Sequence, residues 1–95
     1  MPYVIIRHRI ADYGKWKRVV NRKKDFRKKS GEKTFQVYRG SSDPNELTVI
    51  CTWDNSARMQ KFIKSPELRE AMQEAGVISK PQIQFCSKLE DLTAK

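Results

Sequence analysis

Residues 34–54, TFQVYRGSSDPNELTVICTWD, carry two apolar-alternating arms around a polar turn. In 34–40, Phe35, Val37 and Arg39 fall on one face while Gln36 and Tyr38 fall on the other, the period-two pattern of a strand. The six residues SSDPNE that follow are turn chemistry: Ser, Asp and Asn bond their own backbone, and Pro presets φ. Residues 46–54, ELTVICTWD, are a second arm rich in β-branched and aromatic types. Two strands joined by a short polar turn must be antiparallel neighbours.

Working outward, residues 3–10 (YVIIRHRI) are β-branched and too short for a stable helix, so they predict a first strand. Asp12 offers an oxygen to cap a helix over about 13–29, where Trp16, Val19, Val20 and Phe26 leave one apolar stripe and Ser30–Gly31 closes the element. Downstream, Asn55 or Ser56 caps a second helical region with Met59, Phe62 and Ile63 on one face. Pro66 restarts it as PELREAMQEAG, and Leu68, Met72 and Ala75 continue the stripe to Gly76. The last strand is QIQFCSKLE, 82–90, and the tail DLTAK is expected to be loose.

The order βαββαβ predicts an α+β, ferredoxin-like single domain over 1–95: a four-stranded antiparallel sheet with both helices on one face. The expected spatial order is strand four, one, three, two. Strand one then separates Cys51 from Cys86 by at least about 9 Å, beyond the roughly 7 Å a disulfide tolerates, so both are expected as reduced, buried thiols. Neither cysteine stands in a metal-ligating spacing, and no metal is expected. No run approaches the roughly 20 apolar residues of a membrane span, and the start lacks a secretory pattern, which predicts a cytoplasmic protein.

Such a sheet leaves one face bare. On strand one Val4, Ile6 and His8 oppose Tyr3, Ile5 and Arg7; on strand three Leu47, Val49, Cys51 and Trp53 oppose Thr48, Ile50 and Thr52. Apolar groups on both faces predict a homodimer joined sheet to sheet, with a space enclosed between each sheet and its helices or its partner.

The formal charge is +9, and its distribution matters more than its sum. Ten basic residues between Lys15 and Lys33 face only Asp25 and Glu32, a local +8, so the rest of the chain carries +1. The basicity belongs to one element. The RNA-recognition motif shares the βαββαβ order but needs stacking aromatics on strand three, where ELTVICTW offers Ile50 and Thr52, so nucleic-acid binding rests on charge alone.

MPYVIIRHRIADYGKWK, TVICTWDN and KFIKSPELREAMQEAGV together resemble the dimeric α/β barrel superfamily, and within it the antibiotic biosynthesis monooxygenase-like domains, over nearly the whole chain. The resemblance implies a cavity lined by a strand-one polar residue, a tryptophan after strand three and groups from the second helix. His8 falls where the haem-degrading branch has asparagine, Trp53 matches the tryptophan, and Met72 replaces that branch's haem-ligating histidine. A thioether there removes the usual iron ligand, so haem is not carried over and no cofactor is expected.

The residues themselves leave two readings each. His8, the only histidine, is a candidate general base for a phenolic or enolic substrate, or an ordinary hydrogen-bonded histidine. Trp53, Phe62, Met72 and Phe85 could line a pocket for a flat aromatic ligand, or be plain core. Arg39 is a candidate partner for an anionic substrate group, or a strand-end surface residue. The resemblance adds an activity: a small-molecule-binding barrel acting as a cofactor-independent monooxygenase on an aromatic or polyketide-like substrate. The alternative is a non-catalytic ligand-binding or structural dimer whose basic helix, Lys15 to Lys33, contacts an acidic partner or nucleic acid.

Overall fold

A computed structural model describes residues 1–94. The chain runs β1 (Pro2–Arg9), α1 (Tyr13–Arg22), α2 (Lys24–Ser30), β2 (Glu32–Arg39), β3 (Glu46–Trp53), α3 (Ser56–Ile63), α4 (Pro66–Glu74) and β4 (Gln82–Ser87). The four strands form one antiparallel sheet in the order β2-β3-β1-β4, as the crossover argument requires.

The helix starts follow their capping residues. Asp12 accepts from the Lys15 N–H, Asn55 from the Arg58 N–H, and Ser65 from the Leu68 N–H with Pro66 in the first turn. Gly31 ends α2 with φ +115°, and a Cβ there would press into the Asp54 carboxylate, so both conformation and space require glycine.

Three local expectations change. The helix expected over 13–29 is two helices broken at Lys23 (φ −91°, ψ 7°), and at the break the Arg27 Nη2 donates to the Val20 carbonyl over 3.1 Å. The last strand ends at Ser87 rather than Glu90, because beyond Pro2↔Ser87 no β1 residue remains to pair with it. Cys86 is half-buried rather than buried, since it lies on the edge strand; Cys51 is buried, and neither is bridged.

The register fixes which side chains share a face. Val4 pairs with Cys51, Ile6 with Val49 and His8 with Leu47, and all six are buried beneath the helices with Trp16, Val19, Met59 and Phe62. The face of Leu47, Val49, Cys51 and Trp53 is therefore the helix-covered one. The opposite face presents Tyr3, Ile5, Ile50, Tyr38 and Cys86 interspersed with Thr48, Gln36, Gln84 and Arg7. Among the described residues no helix is long and apolar enough to cross a membrane.

Candidate functional site

Between the inner face of the sheet and the helices lies an apolar cavity of about 80 Å³. Its floor is Val4, Ile6, Val49 and Cys51; its roof comes from Val19, Phe62, Ala71 and Met72. That volume holds on the order of six waters, the scale of a small ring, and larger bodies enter only if the helices yield. His8, Trp53, Phe62 and Met72 all line it, so the structure brings four of the six candidates to one space. Arg39 is not among the lining residues: it is exposed on the edge strand β2, its guanidinium 5.0 Å from the Tyr13 ring centre. Phe85, 40% exposed, is outside the cavity as well.

The cavity has two polar ends. His8 pairs with Leu47 at the start of β3, whereas Trp53 closes that strand six residues later, so their backbones stand roughly 20 Å apart at ~3.3 Å per residue. A single reacting atom cannot touch both side chains. At the first end the Trp16 Nε1–H donates to His8 Nε2 over 3.1 Å. Indole is only a donor, so that nitrogen is bare, and the neutral ring carries its proton on Nδ1. Nδ1 is buried and has no partner among the described residues. Burial pushes the imidazole below the usual histidine pKa, consistent with a ring held neutral.

This geometry revises the role expected of His8. The nitrogen that could accept a proton is occupied by Trp16, and the other offers N–H, so the ring presents a hydrogen-bond donor rather than a base.

The second end was not read from sequence. Trp53 packs on Phe62 with ring centres 4.9 Å apart, and its buried Nε1–H lacks a partner among the described residues. Beside it Arg27 and Glu32 form an ion pair whose side chains are 11% and 8% exposed, and both line the cavity. The guanidinium carbon also lies 4.3 Å from the Phe35 ring centre, while Arg27 Nε is buried without a partner among the described residues. Burial pushes the Glu32 carboxyl above its usual pKa, against the opposing pull of Arg27. Burial, with Glu32 nearby, pushes the Cys51 thiol far up, so Cys51 stays protonated.

The unsatisfied polar atoms at the cavity thus share one character. His8 Nδ1, Trp53 Nε1 and Arg27 Nε are all N–H donors. Burying such a donor unpaired costs about 1–3 kcal/mol, a cost that a ligand bearing acceptors would relieve. Among the described residues no cluster of three His, Cys, Asp or Glu side chains could hold a metal ion.

No protein-family model and no curated protein matches the chain. Solved structures do match. SnoaB, a cofactor-independent oxygenase from Streptomyces nogalater, superposes with TM-score 0.76 at 13% identity, covering 98% of this chain and 97% of that one. A protein from Bordetella bronchiseptica, named as a candidate antibiotic biosynthesis monooxygenase, gives TM-score 0.76 at 15% identity over 94% and 97% of the two chains. Rv0793 from Mycobacterium tuberculosis gives 0.67 at 10% identity over 98% and 100%. At such identities the likeness carries the fold: this chain has the ferredoxin-like α+β fold of the antibiotic biosynthesis monooxygenase-like proteins.

Proposed function

We propose that the chain is a single-domain, cytoplasmic, homodimeric small-molecule-binding protein that acts as a cofactor-independent monooxygenase on an aromatic or polyketide-like substrate. One observation carries the reading: an apolar cavity whose two ends hold buried N–H donors with no partner among the described residues. Once the helices yield to a body larger than the 80 Å³ space, its flat apolar part suits the middle, and carbonyl or phenolic oxygens suit the ends. His8 would hold the distal oxygen, while Trp53 and Phe62 hold the reacting ring and Met72 closes the roof. Trp53 Nε1–H would then stabilise negative charge on a ring oxygen as the substrate becomes a carbanion, and that carbanion reduces dioxygen directly. The fold shared with a cofactor-independent oxygenase supports this chemistry. On the outer sheet face, exposed Tyr38 and half-buried Tyr3, Ile5 and Ile50 support pairing with a second copy.

Two ketones with acidic methylenes, 2-indanone and anthrone, are suitable probes. Oxygen uptake by the metal-free, chelator-treated protein is expected to match diketone or quinone formation one for one. Trp53→Phe, which keeps the ring and removes the donor, should lower kcat by about 10²-fold. No uptake above the buffer rate, with no rise in melting temperature with either ketone, would remove the reading.

A second reading keeps its own observation. Lys15, Lys17, Lys24, Lys28 and Lys29 are exposed and, among the described residues, unpaired. They would suit an acidic partner or nucleic acid in a non-catalytic dimer. Binding to double-stranded DNA or polyglutamate that weakens steeply with salt and is lost in Lys24→Glu/Lys28→Glu would favour it.

A further inference from the structure

We propose that Glu32 is the proton acceptor of this site and Arg27 its positioning residue, an inference that rests on the monooxygenase reading above. The first support is a backbone irregularity. Phe35 and Val37 face the cavity side, so strict alternation along β2 would put Lys33 inward and Glu32 outward. The register instead slips between Glu32 and Thr34, pairing Glu32 with Trp53 and Thr34 with Thr52. Lys33 is left over as the extra residue of a bulge, and Glu32 turns to the inner side with Phe35. Thr34 stays on the outer face, where its hydroxyl meets that of Thr52 over 2.5 Å. Bulges re-aim side chains, and they recur beside active sites.

The second support is what the bulge delivers. A carboxylate is placed in an apolar cavity wall directly across the strand pair from Trp53. Arg27 binds it with one guanidinium nitrogen and anchors itself to the Val20 carbonyl with another, at the break between α1 and α2. That fixes the carboxylate's direction and helps to keep it ionised. Glu32 is the only carboxylate buried among the lining residues; Glu67 also lines the cavity but is exposed. The third support is negative: His8 Nε2 is held by the Trp16 N–H and Nδ1 carries the proton, so the end that holds His8 has no free base.

The chemistry balances. Glu32 takes the proton of an acidic substrate C–H, whose electron pair stays on the substrate and delocalises to a ring oxygen held by the Trp53 N–H. Dioxygen accepts these electrons and forms a C–O bond, and the glutamic acid returns its proton to the peroxide. Loss of water, taking the second hydrogen of the methylene, leaves a carbonyl, so CH₂ plus O₂ gives C=O plus H₂O.

The test is the pH profile of kcat with 2-indanone or anthrone for the wild type, Glu32→Gln and Glu32→Asp. The charged and titratable groups around Glu32 are Arg27 on α2, Cys51 on β3, Lys23 at the helix break and Glu67 on α4. Glu32→Gln should lose about 10²–10⁴-fold in kcat with little change in KM, and with it the acid limb of the profile. Glu32→Asp should restore part of the rate and the limb, which a purely structural ion pair would not require. Should Glu32→Gln fail to fold, the Glu32→Asp limb, displaced from the wild-type one, carries the test alone. A Glu32→Gln enzyme within a few-fold of wild type and with its acid limb intact overturns the inference and leaves the monooxygenase reading standing. A wild type inactive on both ketones overturns both.

Discussion

The two faces of the sheet are built from the same strands by alternate residues, yet they have opposite fates. Along β1, Val4, Ile6 and His8 are buried while Ile5 is half-buried and Arg7 and Arg9 are exposed. Along β3, Leu47, Val49 and Cys51 are buried while Thr48 and Ile50 are half-buried. The inner face spends its burial on a cavity with polar ends; the outer face keeps Tyr3, Ile5 and Ile50 partly open among threonines and glutamines. Burial, and not residue type, separates a site from a surface here, because isoleucines stand on both sides.

The largest effect should separate the two faces. Trp53, 1% exposed, fills the end of the inner layer, and Trp53→Ala is expected to cost about 3–5 kcal/mol in urea unfolding. Ile50→Ala removes a half-buried side chain from the outer face and should cost clearly less in a monomer. If a second copy covers that face, the Ile50→Ala cost will grow with protein concentration, and Ile50→Asp will lower the mass seen in sedimentation. A concentration-independent mass equal to one chain would sink the sheet-to-sheet dimer.

How much of this was legible in sequence follows from what each feature depends on. Strand order, the hairpin over 34–54, the Asp12 cap and the helix starts at Asn55 or Ser56 and at Pro66 rest on local chemistry and chain connectivity, and those were readable. The break at Lys23 was not, because it is stabilised by Arg27 reaching back seven residues to Val20, a contact no periodicity reports. Alternation grouped Trp53 with Cys51 but could not say that helices cover that face. His8 and Trp53 were paired as one constellation, and only the register shows that a strand's length parts them. Arg27 and Glu32 hid inside a stretch whose charge reads as solvated surface. The one legible hint was that Glu32 is one of only two acidic residues in a basic run.

A smaller effect concerns protons. The His8 imidazole is depressed below 6.5 by burial, so the unfolded chain binds a proton more readily than the folded one. Its contribution is therefore fully present above pH 6.5 and lost as pH falls toward the folded pKa. Glu32 acts with the opposite sign: its raised carboxyl weakens the fold while ionised, and acidification through its folded pKa relieves that. His8→Gln can still accept from Trp16 through its amide oxygen and no longer titrates. Comparing unfolding free energies of wild type and His8→Gln from neutral pH to about pH 5 isolates the imidazole, and the wild type should lose more stability. Parallel curves would mean that His8 is solvated and that the inner end is open.

The smallest effect tests the comparison by chemistry alone. Cys51 lies on the inner face, 2% exposed, its thiol pushed far up by burial and by Glu32; Cys86 lies on the outer face of the edge strand and is half-buried. Thiolate is the reactive form, so both access and ionisation protect Cys51. A disulfide reagent at neutral pH should therefore label one thiol per chain quickly and the second only at the rate of unfolding. Cys86→Ser should abolish the fast phase and leave the slow one. Fast labelling of Cys51 in the Cys86→Ser protein would show that the helices open over the cavity far more often than the packing of Trp53 on Phe62 allows.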